Sequence, residues 1–566
     1  MPTLHFKGKT FVQNHHLAVK YHQLVPKKEL SLTDPAYGGT GTVSLHDNLI
    51  IQGDNLKALK ALLPTYAGKV KCIYIDVPYN TGNENWVYND NVNSPMIQEW
   101  LGKAVDIEDL TRHDKWLCMM MPRLKLLREL LSEDGAIFIS CDDNELANLR
   151  VLLNEIFGEN NFYSQVIVRA NSRGQTYNQI AKTHEYLIVY TKNPETELFE
   201  LEKDSESNDL NLNDEIGAFN IRELRNRNPK FGKHNRPNLF YPIYINPKSE
   251  DKDGFCLVSL TQSKEFSEMV EPFNSQMKES CWRWGKDKVT KNVSSKTTTS
   301  NLVAKKKNDG SFGIYEKYRK TTFKPKSIWD DNSFLNETGT IELRELGLEN
   351  QFDFPKPKSL VKQCIALATT EGDIVLDSFA GSGTTAQAVL ELNEESGVER
   401  NFILVEMEDY ANTITAERVR RVIKGVKTAK SELLKKGTGG SFSYFELGDT
   451  IEMESLLRGK NLPSYTEFAR YLFYTATGEE FNEKAINEKT GFIGESKNYE
   501  VYLFYKAELD WLKKNALTLE LCKSLPKFKN KQRLVFAPAK YVDDHTLLDY
   551  RIDFCQLPYE IYRLNR

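Results

Sequence analysis

Short apolar runs alternate with amphipathic stretches in two parts of the chain, separated by a long segment that shows neither pattern. In the first part, about 48–192, Val70–Asp76 and Ala136–Ser140 read as buried strands and Tyr186–Tyr190 as another. Lys115–Leu131 and Asn144–Phe157 repeat apolar residues at helical spacing. The second part, about 357–426, reads as a helix (Ser359–Thr369), a strand (Asp373–Asp377), a glycine-rich turn, a helix (Thr384–Leu392), a strand (Phe402–Glu406) and a helix (Asn412–Lys424). Strands alternating with helices predict an α/β fold with a doubly wound, mostly parallel sheet. Neither part supplies enough strands alone, so the predicted sheet is discontinuous in sequence. The expected divisions are an N-terminal arm (1–44), two half-domains (45–192 and 351–438), an insert (193–350) and a small C-terminal α+β domain (439–566).

Composition changes this picture in two places. A length of 566 residues exceeds one ordinary core, and 40% hydrophobic with 27% charged residues excludes wholesale disorder. No apolar run approaches the roughly 18–20 residues that a bilayer demands, and the N-terminus lacks a signal-peptide pattern, so a cytoplasmic location is expected. The eight cysteines contain no C-x-x-C pair and the nine histidines no metal-ligand spacing. Reduced thiols and no metal are the expectation. The net charge of −4 conceals an asymmetry: 221–330 holds 23 Lys and Arg against 12 Asp and Glu, leaving −15 for the rest. Trp282, Trp284, Tyr315, Tyr318 and Trp329 lie among these lysines, a mixture that favours a polyanion partner over a merely solvated face.

Two strand ends carry candidate chemistry. Gly381-Ser382-Gly383-Thr384-Thr385-Ala386 satisfies G-x-G-x-x-A, and Glu406 ends the next strand about 20 residues on, as a ribose-binding acid would. Dinucleotide binding, as in an NAD-dependent dehydrogenase, is therefore open. Asp377, however, suits a cationic amino group better than a pyrophosphate, and Phe379 adds an apolar wall. Those features fit S-adenosylmethionine. The other strand end is Asp76-Val77-Pro78-Tyr79, an acid and a proline turn where α/β sheets place ligands.

Asp76-Val77-Pro78-Tyr79 together with Asp377-Ser378-Phe379-Ala380-Gly381-Ser382-Gly383 resembles the D-P-P-Y and F-x-G-x-G signatures of the amino-group DNA methyltransferases. With D-x-P-Y first and the glycine turn last, the order resembles the β class, and more closely the modification subunit of type III restriction–modification systems. The likeness extends through 49–56, Lys115-Trp116-Leu117 with Pro122-Arg123-Leu124, 137–145, Lys182-Thr183-His184-Glu185-Tyr186, 236–239 and Phe354-Pro355-Lys356-Pro357, covering most of 45–425. It implies a Rossmann-like methyltransferase sheet with the insert as target recognition domain. It also implies S-adenosylmethionine held by Asp54, Asp377, Phe379, Gly381, Gly383, Thr384 and Glu406. The expected partners are double-stranded DNA, a second copy of the chain and a restriction (helicase–nuclease) subunit.

The chemistry gives each catalytic position a task. An adenine amine is a poor nucleophile because its lone pair is delocalised into the ring. Acceptors at its hydrogens, the Asp76 carboxylate and the carbonyl of residue 77, aim that lone pair, while Tyr79 stacks on a flipped base. Val77 stands where the family has proline, yet Pro78 still pushes residue 77 into the extended region. The alternatives are a catalytically impaired DNA-recognition subunit and a cytosine-N4 enzyme. Candidate DNA contacts are Arg236, as a reader of guanine edges, and Lys286, Lys305, Lys306 and Lys307 on phosphates. Asp142-Asp143 reads as a loop or capping pair, and His184 as structural or close to the base.

Overall fold

The computed structural model describes residues 3–81, 111–174, 179–203, 210–274, 276–451, 462–479, 481–526 and 531–557. The chain divides into two compact units, one of Met1–Phe199 with Lys326–Arg566 and one of Glu200–Pro325. The strand Ile328–Trp329 and the helix Asn336–Glu345 thus belong to the first unit.

In the first unit ten strands form one sheet: His22–Pro26 (β1), Leu49–Gln52 (β2), Val70–Asp76 (β3), Leu131–Cys141 (β4), Phe162–Arg169 (β5), His184–Thr191 (β6), Ile328–Trp329 (β7), Ile374–Asp377 (β8), Asn401–Glu406 (β9) and Ser443–Thr450 (β10). Their spatial order is β1-β10-β2-β9-β8-β3-β4-β6-β5-β7. From β10 to β4 every pairing is parallel, whereas β6 is antiparallel to both β4 and β5. The discontinuous, mostly parallel sheet expected from the sequence is present. β3 pairs directly with β8 although about 300 residues separate them.

Its central strands are apolar without alternation because helices cover both faces. In β3, Cys72, Ile73 and Ile75 are fully buried. The helices are Asn55–Tyr66 (α1), Arg112–Leu130 (α2), Leu146–Phe157 (α3), Lys358–Ala368 (α4), Thr384–Ser396 (α5) and Glu417–Lys424 (α6). Asp54 caps α1 by accepting from Lys57 N at 3.2 Å. Trp116, Cys118, Met120, Leu124 and Leu127 of α2 are fully buried in the main core. α6 is preceded by one π-helical turn, Asn412–Ala416, so the helix expected over 412–424 arrives in two forms.

Five sheet strands escaped the periodicity: β1, β2, β5, β7 and β10. β5 alternates weakly, and β1 and β10 fall in segments expected to belong to the N-terminal arm and the C-terminal domain. β10 pairs with β2, and β1 with β10. The rest of the C-terminal region forms a four-stranded sheet (492–495, 499–503, 532–537, 552–556) behind the helix Tyr465–Thr477. Tyr471 of that helix meets Tyr21 edge-on at 4.9 Å. All eight cysteines are buried thiols outside any disulfide. Among the described residues no helix is long and apolar enough to cross a membrane.

The second unit contains a seven-stranded antiparallel sheet. Trp282 and Trp284 form its core with Tyr241, Ile243 and Ile245. Trp282 Nε1 donates to Tyr241 O and Tyr241 Oη to Trp284 O, both at 2.7 Å. These tryptophans are therefore packing residues, which corrects their expected place on the basic surface: one indole N–H needs a single internal acceptor, and burial follows.

Candidate active site

From the β8–β3 junction the chain steps to β9 on one side and to β4 on the other, the reversal of strand order at which doubly wound sheets place their ligands. Asp377 ends β8 and Asp76 ends β3. Both signature motifs thus leave the sheet side by side.

On the β3 side, Asp76 Oδ1 is buried without a hydrogen bond, while its side chain as a whole keeps 30% exposure. The accessible part of the carboxylate is therefore the Oδ2 side. Burial pushes the Asp76 carboxyl up to about 6, with Lys356 pulling against it. Val77 is buried, and Trp116 Nε1 donates to the Pro78 carbonyl at 2.7 Å, which pins the turn. Tyr79 Oη donates to Glu185 Oε2 at 2.8 Å. Asn80, at φ 58°, buries its amide against Glu145, which His113 also meets at 2.7 Å.

Lys356 holds these groups together. Its Nζ lies 2.6 Å from Glu185 Oε2, 2.5 Å from Tyr79 Oη and 3.5 Å from Asp76 Oδ1. The ammonium also lies over the Tyr79 ring, 4.7 Å from its centroid. Burial opposes a charged lysine here, but Asp76 and Glu185 raise it above its ordinary value. Burial likewise opposes a charged Glu185, yet Lys356 keeps it below the usual glutamate range. Asn336 Nδ2 donates to the other Glu185 oxygen at 2.8 Å.

The β8 side is built differently. Asp377 accepts from Phe379 N at 3.0 Å and Thr385 Oγ1 at 2.5 Å, and burial still pushes it up to about 7. Glu406 Oε2 accepts from Gly381 N at 2.7 Å and its Oε1 from Glu408 N at 3.0 Å; burial raises it as well. Among the described residues neither acid has an ion-pair partner. Gly381 and Gly383 take φ of 51° and 82°, and a Cβ on Gly383 would stand 3.0 Å from Thr415 O. Behind the turn, fully buried Arg418 donates through Nη1 to Ser382 Oγ and Thr384 Oγ1, each at 2.8 Å, and through Nε to Gln387. Burial lowers its guanidinium to about 10, against the pull of Glu342. Thr384 Oγ1 also meets Lys356 O at 3.3 Å, linking the glycine turn to the lysine on the other side.

Asp54 sits at the carboxyl end of β2, lining a cleft of about 470 Å³ with Gln52, Gly53, Lys57 and His22. In the second unit Arg236 is exposed with its guanidinium 4.1 Å from the Phe231 ring, and Lys286 lies 5.6 Å from the Tyr241 ring. Lys305 Nζ donates to Asp253 O at 3.0 Å, while Lys306 and Lys307 are exposed. Asp142 accepts from Asn144 N and pairs with Lys182, and His184 meets Tyr186 Oη.

A family model described as a DNA methylase matches residues 70–417, enclosing both strand ends. The chain belongs to the DNA methylase family. The methylase is 34% identical over 454 residues to the Mod subunit of the type III restriction–modification enzyme EcoPI of Escherichia phage P1, covering 75% of this chain and 68% of that one. It is 32% identical to the type II methyltransferase M.KpnI of Klebsiella pneumoniae, covering 62% and 79%. To the EcoP15I Mod subunit of Escherichia coli it is 32% identical, covering 68% and 62%. Membership makes this methylase an enzyme that transfers methyl groups from S-adenosylmethionine to DNA.

Sequence reasoning singled out the strand-end acids but assigned no role to Lys356, Glu185, Trp116 or Arg418. Lys356 and Glu185 lay inside the blocks Phe354–Pro357 and Lys182–Tyr186 that carried the family resemblance. A buried lysine and glutamate facing one carboxylate cannot be paired from linear spacing.

Proposed function

We propose that the enzyme methylates adenine N6 at a specific site in double-stranded DNA, as the modification subunit of a type III-like restriction–modification system. In this reading it works as a homodimer in the cytoplasm, alongside a restriction subunit. The proposal rests on the adjacency of Asp76 and Asp377 at the ends of hydrogen-bonded parallel strands. One strand end presents an acceptor for an amine, and the other presents acids for a cationic cofactor.

S-adenosylmethionine fits the β8 side because Asp377 and Glu406 are buried acids with no cation of the protein's own among the described residues. When bound, it supplies a methyl group activated on a sulfonium. Asp377 and the Gly381–Gly383 turn would hold its methionine part, Phe379 would wall it, Glu406 would take the ribose, and Asp54 and Thr384 would complete the pocket. On the β3 side, Asp76 and the Val77 carbonyl accept from the two amine hydrogens, which localises the nitrogen lone pair. In this reading the Tyr79 ring, held through its hydroxyl by Glu185 and Lys356, would stack on the flipped base. Asp76 or water takes the proton that leaves the amine.

Val77 raises the second reading, a recognition subunit without catalysis. Against it, the turn does not depend on a second proline, since Trp116 holds the Pro78 carbonyl. In the 200–325 unit, exposed Arg236, Lys286, Lys306 and Lys307, with Lys305 beside them, would meet DNA. Base-resolved methylation sequencing of DNA from cells expressing the chain tests the function. A single motif carrying N6-methyladenine is expected. N4-methylcytosine would reassign the base, and no methylated motif under confirmed expression would sink the enzymatic reading.

A further inference from the structure

The lysine between the two strand ends goes beyond the strand-end motifs. We propose that Lys356 is a positioning residue for methyl transfer: clamped by Glu185 and Tyr79, it faces the inner oxygen of Asp76 and turns Oδ2 toward the target amine. The proposal rests on the methyl-transfer reading and deepens it.

Three observations carry it. First, burying a lysine beside two acids is expensive unless each charge has a partner, and here Nζ has Glu185 at 2.6 Å and Tyr79 Oη at 2.5 Å. Second, the 3.5 Å to Asp76 Oδ1 is an electrostatic contact, not a hydrogen bond, so Lys356 supports the carboxylate without using up its acceptor capacity. Third, the Lys356 backbone carbonyl accepts from Thr384 Oγ1, which Arg418 also fixes. One residue therefore ties the glycine turn to the acceptor carboxylate.

The charge arithmetic also suits the reaction. Asp76, Glu185 and Lys356 sum to −1, which favours positive charge developing on the attacking nitrogen. With Glu185 alone, the neighbouring carboxylate would push Asp76 further above its ordinary value. The titratable groups bearing on Asp76 are Lys356, Glu185 and Tyr79, together with Tyr74, Cys141 and Asp377. Lys356 is the cation among them.

The test uses the full chain and its DNA, with the variants K356M, K356R and the charge-balanced K356M/E185Q. K356M should lower kcat by about a hundredfold while cofactor and DNA affinities stay within about threefold. The acid limb of its pH–rate profile should move up by about one unit, because Asp76 loses the cation that opposes its burial. K356R should recover part of the rate, and K356M/E185Q should fold well yet keep the rate loss. A thermal double-mutant cycle with D76N needs no activity: K356M should cost at least about 3 °C more when Asp76 is present than when it is Asn. Near-normal kcat in K356M, or a rate loss with an unmoved acid limb and additive melting temperatures, would overturn the proposal. If the wild-type chain methylates nothing, the functional reading fails, and the cycle alone then decides whether Lys356 supports Asp76.

Discussion

The two halves of the site are both strand-end acids at the carboxyl edge of one sheet, and their charges are handled in opposite ways. At β3, Asp76 lies 3.5 Å from a buried lysine that also contacts Glu185 and Tyr79. At β8, Asp377 and Glu406 receive hydrogen bonds but no cation among the described residues. The first half holds a cation of its own before anything binds, as the proposed amine acceptor would need. The second carries a deficit that a cationic ligand would fill. Preorganisation where geometry decides the rate, and unmet charge where binding is wanted, divide the work.

The sharpest way to break this comparison is Asp76→Ala. It should reduce kcat about a thousandfold while cofactor affinity, measured by calorimetry, changes by less than about threefold. A matching loss of cofactor binding would mean that the halves are not separate. Asp377→Asn should do the reverse, weakening the cofactor about 10- to 100-fold with a smaller loss of kcat. It also carries a pH signature. Because burial raises Asp377 from 3.8 to about 7, its favourable contribution to the ligand-free fold is present below pH 3.8 and lost as pH rises through 7. The ligand-free Asp377→Asn variant should therefore melt higher than wild type at pH 8 and no higher at pH 4. Equal melting curves at both pH values would show that the acid is not strained.

Smaller effects sharpen the picture. Gly383→Ala should destabilise the chain by about 1–3 kcal/mol in urea titration, since φ is 82° and the new Cβ meets Thr415 O at 3.0 Å. Val77→Pro is the mildest change. It should raise kcat by no more than about threefold, because Trp116 and Pro78 already restrain the turn.

How much was legible in the sequence differs between levels. The central strands β3, β8 and β9 were readable because parallel strands covered on both faces are near-continuous apolar runs. β1 and β10 were not, since His22–Pro26 and Ser443–Thr450 are mixed in polarity and gain strand character by pairing with each other and with β2. Asp76 and Asp377 were visible as acids ending apolar runs. Lys356 and Glu185 are also charged residues, but nothing in their local pattern distinguishes a buried ion pair from a solvated one. The aromatics of the basic segment misled for a related reason: Trp282 among lysines looks the same in sequence whether its indole faces solvent or a carbonyl inside the core.

The 200–325 unit begins and ends in one narrow ribbon, Leu201–Glu202 paired with Thr322–Phe323, with Lys203 N donating to Thr321 O at 2.8 Å. The chain therefore leaves the large sheet and returns to it through a single two-stranded doorway. A lineage can replace everything beyond that doorway in one recombination event without cutting a strand of the sheet. If, as proposed, that unit meets DNA, exchange of the cassette would change the target while the inherited chemistry stays whole.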